Sequence, residues 1–370
     1  MQQELSEAVA SPRSGGVPLT WIGVGPVTRT ALRRQFAVLS LLSITLGLFG
    51  SMRASAHTAN PAVPPRLWKA GYDGPGNNTD GATALGVSLD GERLFVTGYS
   101  VDPTTSYDYA TVAYDAATGR QRWVARYNPA ANDLANALAV SPDGATVIVT
   151  GQSFHQSSRY DYATVAYDAA SGKRRWVARY NGPGNGDDVA YALGVSPDGA
   201  RVFVTGYSSA SNGSKDYATV AYDADSGKRR WVARYNRPGD GDDVAYALGV
   251  SPDGARVSVT GYGSASTLDY ATVAYGAKTG MRRWTARYKG SGNGDDGAFA
   301  LGVSPDGGKV FVTGYSIGPK TFYRLRHGGL RREDRKAGVD GPVQRDREPR
   351  RRRHRCRGQS GRGEGLRHRI

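Results

Sequence analysis

The sequence predicts an all-β protein, a β-propeller of four-stranded antiparallel blades with a repeat of about 54 residues, and three markers predict it. Trp68, Trp123, Trp176, Trp231 and Trp284 stand 55, 53, 55 and 53 residues apart. The tyrosines opening Tyr-Ala-Thr-Val-Ala-Tyr, at Tyr109, Tyr162, Tyr217 and Tyr270, keep the same step. A Ser-Pro-Asp-Gly turn recurs at Ser141, Ser196, Ser251 and Ser304, with Ser-Leu-Asp-Gly at Ser88.

One period resolves into four short strands. Val189–Ser196 and Arg201–Tyr207 flank Pro197-Asp198-Gly199, where proline presets φ, aspartate bonds its own backbone and glycine accepts positive φ. Asp216–Asp223 alternates and is rich in Tyr, Thr and Val; Ser226-Gly227 then turns the chain into Lys228–Tyr235. No segment has helical spacing. A single such sheet cannot bury its faces without a neighbour on each side, so tandem copies imply a propeller, with a β-solenoid as the alternative. In the first strand, strict alternation places Ala190, Ala192 and Gly194 on one face and Val189, Tyr191, Leu193 and Val195 on the other. The basic fourth strand, as at Lys173-Arg174-Arg175 and Arg179, reads as a protected outer edge; a phosphate-binding stripe is the functional alternative. Counting a strand around Trp68, four full blades over Thr83–Tyr288 and two strands over Ala298–Tyr315 gives 19 strands, one short of a closed five-bladed ring.

The chain of 370 residues divides by composition into an export-signal region 1–56, a linker 57–65, the repeat body 66–321 and an arginine-rich tail 322–370. Basic Arg29, Arg33 and Arg34 precede an apolar run from Phe36 to Phe49 and the small-residue site Ala54-Ser55-Ala56. That pattern directs export to a secreted, extracytoplasmic or cell-surface location and is too short for a comfortable membrane span. General and twin-arginine export both stay open, and the stretch before Arg29 is long for such a signal. Of the net charge of +15, the tail supplies +11, from 17 Lys and Arg against 6 Asp and Glu. The body is therefore nearly balanced, which argues against a nucleic-acid-binding surface on it.

The tail reads as disordered or nucleic-acid binding by composition, but repeat DNA translated one nucleotide out of frame explains it better. Shifted by one nucleotide, admissible codons for Leu330–Lys336 give Tyr-Asp-Ala-Lys-Thr-Gly, and those for Gly361–Ile370 give Asp-Gly-Ala-Lys-Val-Phe-Val-Thr-Gly. Their separation of 31 codons equals that of Tyr167 and Asp198, Tyr222 and Asp253, and Tyr275 and Asp306.

Residues Ala113–Trp123 resemble the tryptophan-docking motif of quinoprotein-type (PQQ-like) β-propellers, recurring at Ala166–Trp176, Ala221–Trp231 and, with Gly276 in place of Asp, Ala274–Trp284. The Ser-Pro-Asp-Gly hairpins resemble those of YVTN-like bacterial propellers. The resemblance implies that Trp68, Trp123, Trp176, Trp231 and Trp284 dock adjacent blades, with Gly119, Gly172, Gly227 and Gly280 making the turn. A PQQ enzyme would also require calcium-ligating acids, a catalytic Asp and, in many members, a vicinal disulfide; residues 66–321 contain no Cys.

The sequence offers no catalytic set. His155 is the only histidine of the body and sits in a polar loop. Asp187 and Asp188, Asp242 and Asp243, and Asp295 and Asp296 recur on Gly-containing loops, which suits calcium and equally a solvated turn. No Glu completes such a site. Tyr107-Asp108 and Tyr160-Asp161 are candidates for saccharide or peptide binding, or else structural tyrosines. The sequence reading is an exported binding or scaffold module without catalysis or cofactor, its partner a protein, a peptide or a cell-surface glycan. The alternatives are a quinoprotein-like oxidoreductase or other propeller enzyme, and polyanion binding through the tail.

Overall fold

The computed structural model describes residues 67–331, apart from 105, 130, 131, 240, 266, 291–293, 319 and 320. The export signal, the linker 57–65 and the tail beyond residue 331 lie outside the described residues. Every regular element described is a strand. The first sheet holds β1 (Asp80–Val87), β2 (Arg93–Asp102), β3 (Ser106–Asp115) and β4 (Gln121–Tyr127); the second holds β5 (Leu134–Val140), β6 (Thr146–His155), β7 (Arg159–Asp168) and β8 (Arg174–Tyr180). The third holds β9 (Asp188–Val195), β10 (Arg201–Ser209), β11 (Lys215–Asp223) and β12 (Arg229–Tyr235), and the fourth β13 (Asp243–Val250), β14 (Arg256–Ser264), β15 (Leu268–Gly276) and β16 (Arg282–Tyr288). The fifth has three strands, β17 (Asp296–Val303), β18 (Lys309–Gly318) and β19 (Thr321–Arg331). Consecutive four-stranded antiparallel meanders of this kind are propeller blades.

The described residues up to Ser153, together with Val165–Arg175, form one compact unit; Phe154–Thr164 and the residues from Trp176 onward form the other. In both units the turns form as their chemistry dictates. In the Ser-Pro-Asp-Gly hairpin at Ser196, the Gly199 amide donates to Ser196 O at 2.8 Å, Ala200 N to Asp198 Oδ1 at 3.1 Å and Arg201 N to Ser196 Oγ at 2.9 Å. The third strands are buried almost throughout, and a threonine ladder bonds them to the second strands, Thr205 Oγ1 lying 3.0 Å from Thr219 Oγ1.

Three expectations are corrected. First, a bulge breaks the alternation of the inner strand: Ala190 pairs with Gly206 and Ala192 with Thr205, so Tyr191 is the extra residue. Ala190, Leu193 and Val195 therefore share one face, and Val189, Ala192 and Gly194 the other. The bulge presses the inner strand onto its neighbour, and a Cβ on Gly206 would lie 1.9 Å from Val189 O, which is why only glycine fits there. Second, the segment around Trp68 is not a strand, although the tryptophan docks. Third, the boundary drawn at residue 322 cuts through a strand, since Thr321–Arg331 pairs with β18 as β19. The ladder is made by backbone groups, so an edge strand can be supplied by a sequence lacking the repeat's side chains. Among the described residues there are thus nineteen strands, sixteen in full blades and three in the fifth sheet, with none at Trp68.

Candidate functional site: an aromatic row on the inner strands

Four of the five repeated tryptophans, Trp68, Trp123, Trp176 and Trp231, each meet a turn glycine further along the chain. Trp123 Nε1 donates to Ala169 O at 3.1 Å, Trp176 Nε1 to Ala224 O at 2.8 Å and Trp231 Nε1 to Ala277 O at 3.0 Å; in each case the acceptor lies in the next blade's turn. Each ring lies flat over that turn's glycine, and a Cβ on Gly172, Gly227 or Gly280 would come within 2.6–2.7 Å of it. These glycines also hold φ near +70°, so one position meets two demands that a side chain would break. Trp68 makes the same contact with Gly119 and donates to Ala116 O at 2.8 Å. Trp284 packs beside Tyr270 and Val310.

The turn aspartates anchor the docking loop. Asp115 accepts from Thr118 N and Oγ1 and pairs with Arg122, and Asp223 accepts from Ser226 N and Oγ and pairs with Arg230. These bonds hold both carboxyls down at about 2. At Gly276 the carboxylate is absent, and the turn closes on the backbone bond from Gly280 N to Gly276 O at 2.8 Å, with Met281 N donating to Thr279 Oγ1 at 3.2 Å.

The six candidate calcium carboxylates are occupied as loop clamps. Asp188 accepts from the amides of Gly182 (2.6 Å) and Ser209 (3.0 Å), Asp243 from those of Arg237 (2.5 Å) and Ser264 (3.2 Å), and Asp296 from that of Gly290 (2.6 Å). All three are buried, and loss of hydration pushes their carboxyls up, that of Asp243 to about 7. Asp242 and Asp295 each accept a backbone amide at 3.0 Å, from Lys215 and Leu268, while Asp187 pairs with Arg159 at 3.1 Å. Among the described residues, no three His, Cys, Asp or Glu side chains are grouped to hold a metal ion.

Asp108 and Asp161, offered above as ligand-binding groups, are buried and pair with Arg126 at 2.6 Å and Arg179 at 3.1 Å. That burial removes both carboxylates from any surface a ligand could reach. The sequence did not show that the fourth-strand arginines, repeated in step with these aspartates, are their partners. His155 ends β6, is exposed and lies 2.9 Å from Ser157 Oγ through Nδ1.

What the sequence missed is the row built by the bulge. Tyr191, Tyr246 and Phe299 hold the bulge position of the third, fourth and fifth sheets, and their rings meet in series, mutually tilted, at 5.2 and 5.3 Å. Each is backed by an aromatic of its second strand, Tyr207 at 6.0 Å, Tyr262 at 5.8 Å and Tyr315 at 5.5 Å. Burial pushes the hydroxyls of Tyr191, Tyr207 and Tyr246 up, and that of Tyr262 to about 12, so all stay protonated donors at neutral pH. Lys215 Nζ sits 4.8 Å from the Tyr207 ring centre. In the first and second sheets the bulge position carries Thr83 and Asn136 instead. The signal was present as the repeating Ala-Tyr-Ala of the inner strand, but reading it required the bulge.

With the geometry described, likeness to known proteins can be stated. A family profile described as "Outer membrane protein assembly factor BamB", of the PQQ-like repeat type, matches residues 66–246. The chain thus resembles PQQ-like propellers, as its docking motif implies. A search of curated proteins returned no match. Among solved structures, Kuenenia stuttgartiensis hydrazine synthase is similar at 16% identity and TM-score 0.47, covering 64% of this chain and 64% of that one. Quinohemoprotein alcohol dehydrogenase from Comamonas testosteroni is similar at 17% identity and TM-score 0.43, covering 68% of this chain and 40% of that one. BamB from Moraxella catarrhalis is similar at 15% identity and TM-score 0.34, covering 63% and 82%. The chain therefore spans less than two thirds of the length of the first two, and the fold rests on the sheets themselves. No helix among the described residues is long and apolar enough to cross a membrane.

Proposed function

We propose that the chain is an extracytoplasmic propeller acting as a binding or scaffold module, with no catalytic centre of its own. The observation that carries this reading is the aromatic row Tyr191, Tyr246 and Phe299, repeated on successive inner strands at ring separations of 5.2 and 5.3 Å. Phe299 keeps 47% of its surface exposed. Rigid, half-buried rings lose little entropy on contact and offer faces to apolar side chains or sugar rings. The acidic groups that would serve catalysis are instead tied to backbone amides and arginines. The resemblance to outer-membrane assembly factors supports a protein or peptide partner and a location outside the cytoplasm.

Quinone chemistry would require calcium-ligating acids and, in many members, a disulfide over the cofactor. Among the described residues there is no Cys, and no three His, Cys, Asp or Glu side chains are grouped to hold a metal ion.

Two measurements test the reading. Arrays of extended peptides and of oligosaccharides, probed with wild type and with Tyr246→Ala and Phe299→Ala, are expected to give binding that both variants weaken. Saturable binding of PQQ accompanied by dye reduction would overturn it.

A further inference from the structure

We propose that the two ends of the described repeat array are complementary, and that a second copy of this chain docks its fifth sheet against the first sheet of its neighbour, head to tail. Three independent observations converge on this contact.

The segment preceding β1 behaves as a fourth strand that has lost its sheet. Trp68 donates to Ala116 O and covers Gly119 as Trp176 covers Gly227. Tyr72 accepts from Arg126 Nη1 at 3.1 Å, as Tyr180 accepts from Arg234 Nη1 at 3.2 Å. Gly74 N donates to Asp80 at 2.9 Å, as Gly182 N does to Asp188. Trp68–Tyr72 thus holds the place of the outer strand of a preceding blade, without strand structure of its own. The fifth sheet shows the converse defect. It has three strands, and among the described residues β19 pairs with β18 alone.

The sheet faces match as well. At the junctions within each unit, a glycine of one inner strand receives the leucine and valine of the next. A Cβ on Gly86 would lie 2.6 Å from Leu138 Cδ2, one on Gly194 2.9 Å from Leu248 Cδ2, and one on Gly249 2.6 Å from Leu301 Cδ2. In the fifth sheet the equivalent Gly302 has nothing within 4 Å. In the first sheet the equivalent projecting pair, Leu85 and Val87, is 52% and 51% exposed. Phe311, equivalent to the fully buried Phe203, is 50% exposed. The socket is thus on one end and the plug on the other, in the geometry the molecule uses internally.

Docking would seat Leu85 and Val87 at Gly302 of the second copy and bring Trp68–Tyr72 beside that copy's β19, completing a four-stranded sheet. The contact is heterologous, so it generates a ring or an open series of copies.

Sedimentation of the full chain over a concentration series tests this. The mean mass is expected to rise with concentration. Gly302→Leu should weaken the association by about tenfold or more, because the added side chain fills the socket. It should leave the melting of the dilute chain unchanged, since among the described residues nothing lies within 4 Å of a Cβ at that position. In a Cys356→Ser background, chains carrying Leu85→Cys mixed with chains carrying Gly302→Cys should form a bridged dimer of the two. A chain that stays monomeric at its solubility limit, association insensitive to Gly302→Leu, or bridging of the double variant solely within one chain would each overturn the proposal.

Discussion

The third and fifth sheets have nearly the same inner hairpin, Val-Ser-Pro-Asp-Gly followed by Val-Phe-Val-Thr-Gly-Tyr-Ser, yet they differ in burial. Phe203 is fully buried and Phe311 half exposed; Gly194 is packed by Leu248 while Gly302 faces open space. The difference comes from the neighbour, because a blade's face is buried only by the blade beside it.

Substitutions in pairs can break this comparison. Phe203→Ala is expected to cost about 3–5 kcal/mol as a buried aromatic truncation, whereas Phe311→Ala should cost under about 1 kcal/mol in the dilute chain. Urea unfolding of the two variants measures both; equal costs would mean that the fifth face is covered in solution. Next in size is Gly227→Ala, which meets both the Trp176 ring and a positive φ and should cost about 2–4 kcal/mol. Gly302→Ala, which meets neither, should change urea stability by less than about 1 kcal/mol.

A smaller effect separates the buried loop acids from the exposed turn acids. The Asp243 carboxyl titrates near 7 when folded and near 4 when unfolded. Between those values the folded state holds the extra proton, so this group makes stability fall as pH rises from about 4 to about 7 and adds nothing further above that. Asp243→Asn should flatten that slope in melts across the range. Asp223 titrates near 2, so its contribution is present above the unfolded value and is lost only as pH falls toward 2. Smallest is Arg230→Ala, which removes an exposed partner of Asp223 and should change the melting free energy by at most about 0.5 kcal/mol.

Much of the fold was legible because its determinants are local and repeated. The hairpin turns follow from Ser-Pro-Asp-Gly chemistry, and the docking tryptophans follow from their spacing and from the glycine each covers. The site was less legible for three identifiable reasons. Alternation alone put Tyr191 with Leu193, whereas the bulge at Ala190 and Ala192 makes it an extra residue that packs against Tyr246. Asp108 and Asp161 looked like surface groups because their arginine partners lie 18 residues away in another strand. The paired aspartates resembled a cation loop because the amides they clamp carry no side-chain signature.

Strand class, blade unit and turn positions were readable from the chain alone, since each depends on contacts within one period or on its exact recurrence. Folding in three dimensions set which carboxylates are buried, where the bulge falls, that Thr321–Arg331 joins a sheet, and which faces are exposed among the described residues. Those properties depend on what lies beside a residue in space, and a period of nearly identical sequence acquires different surroundings in the middle of the array and at its ends.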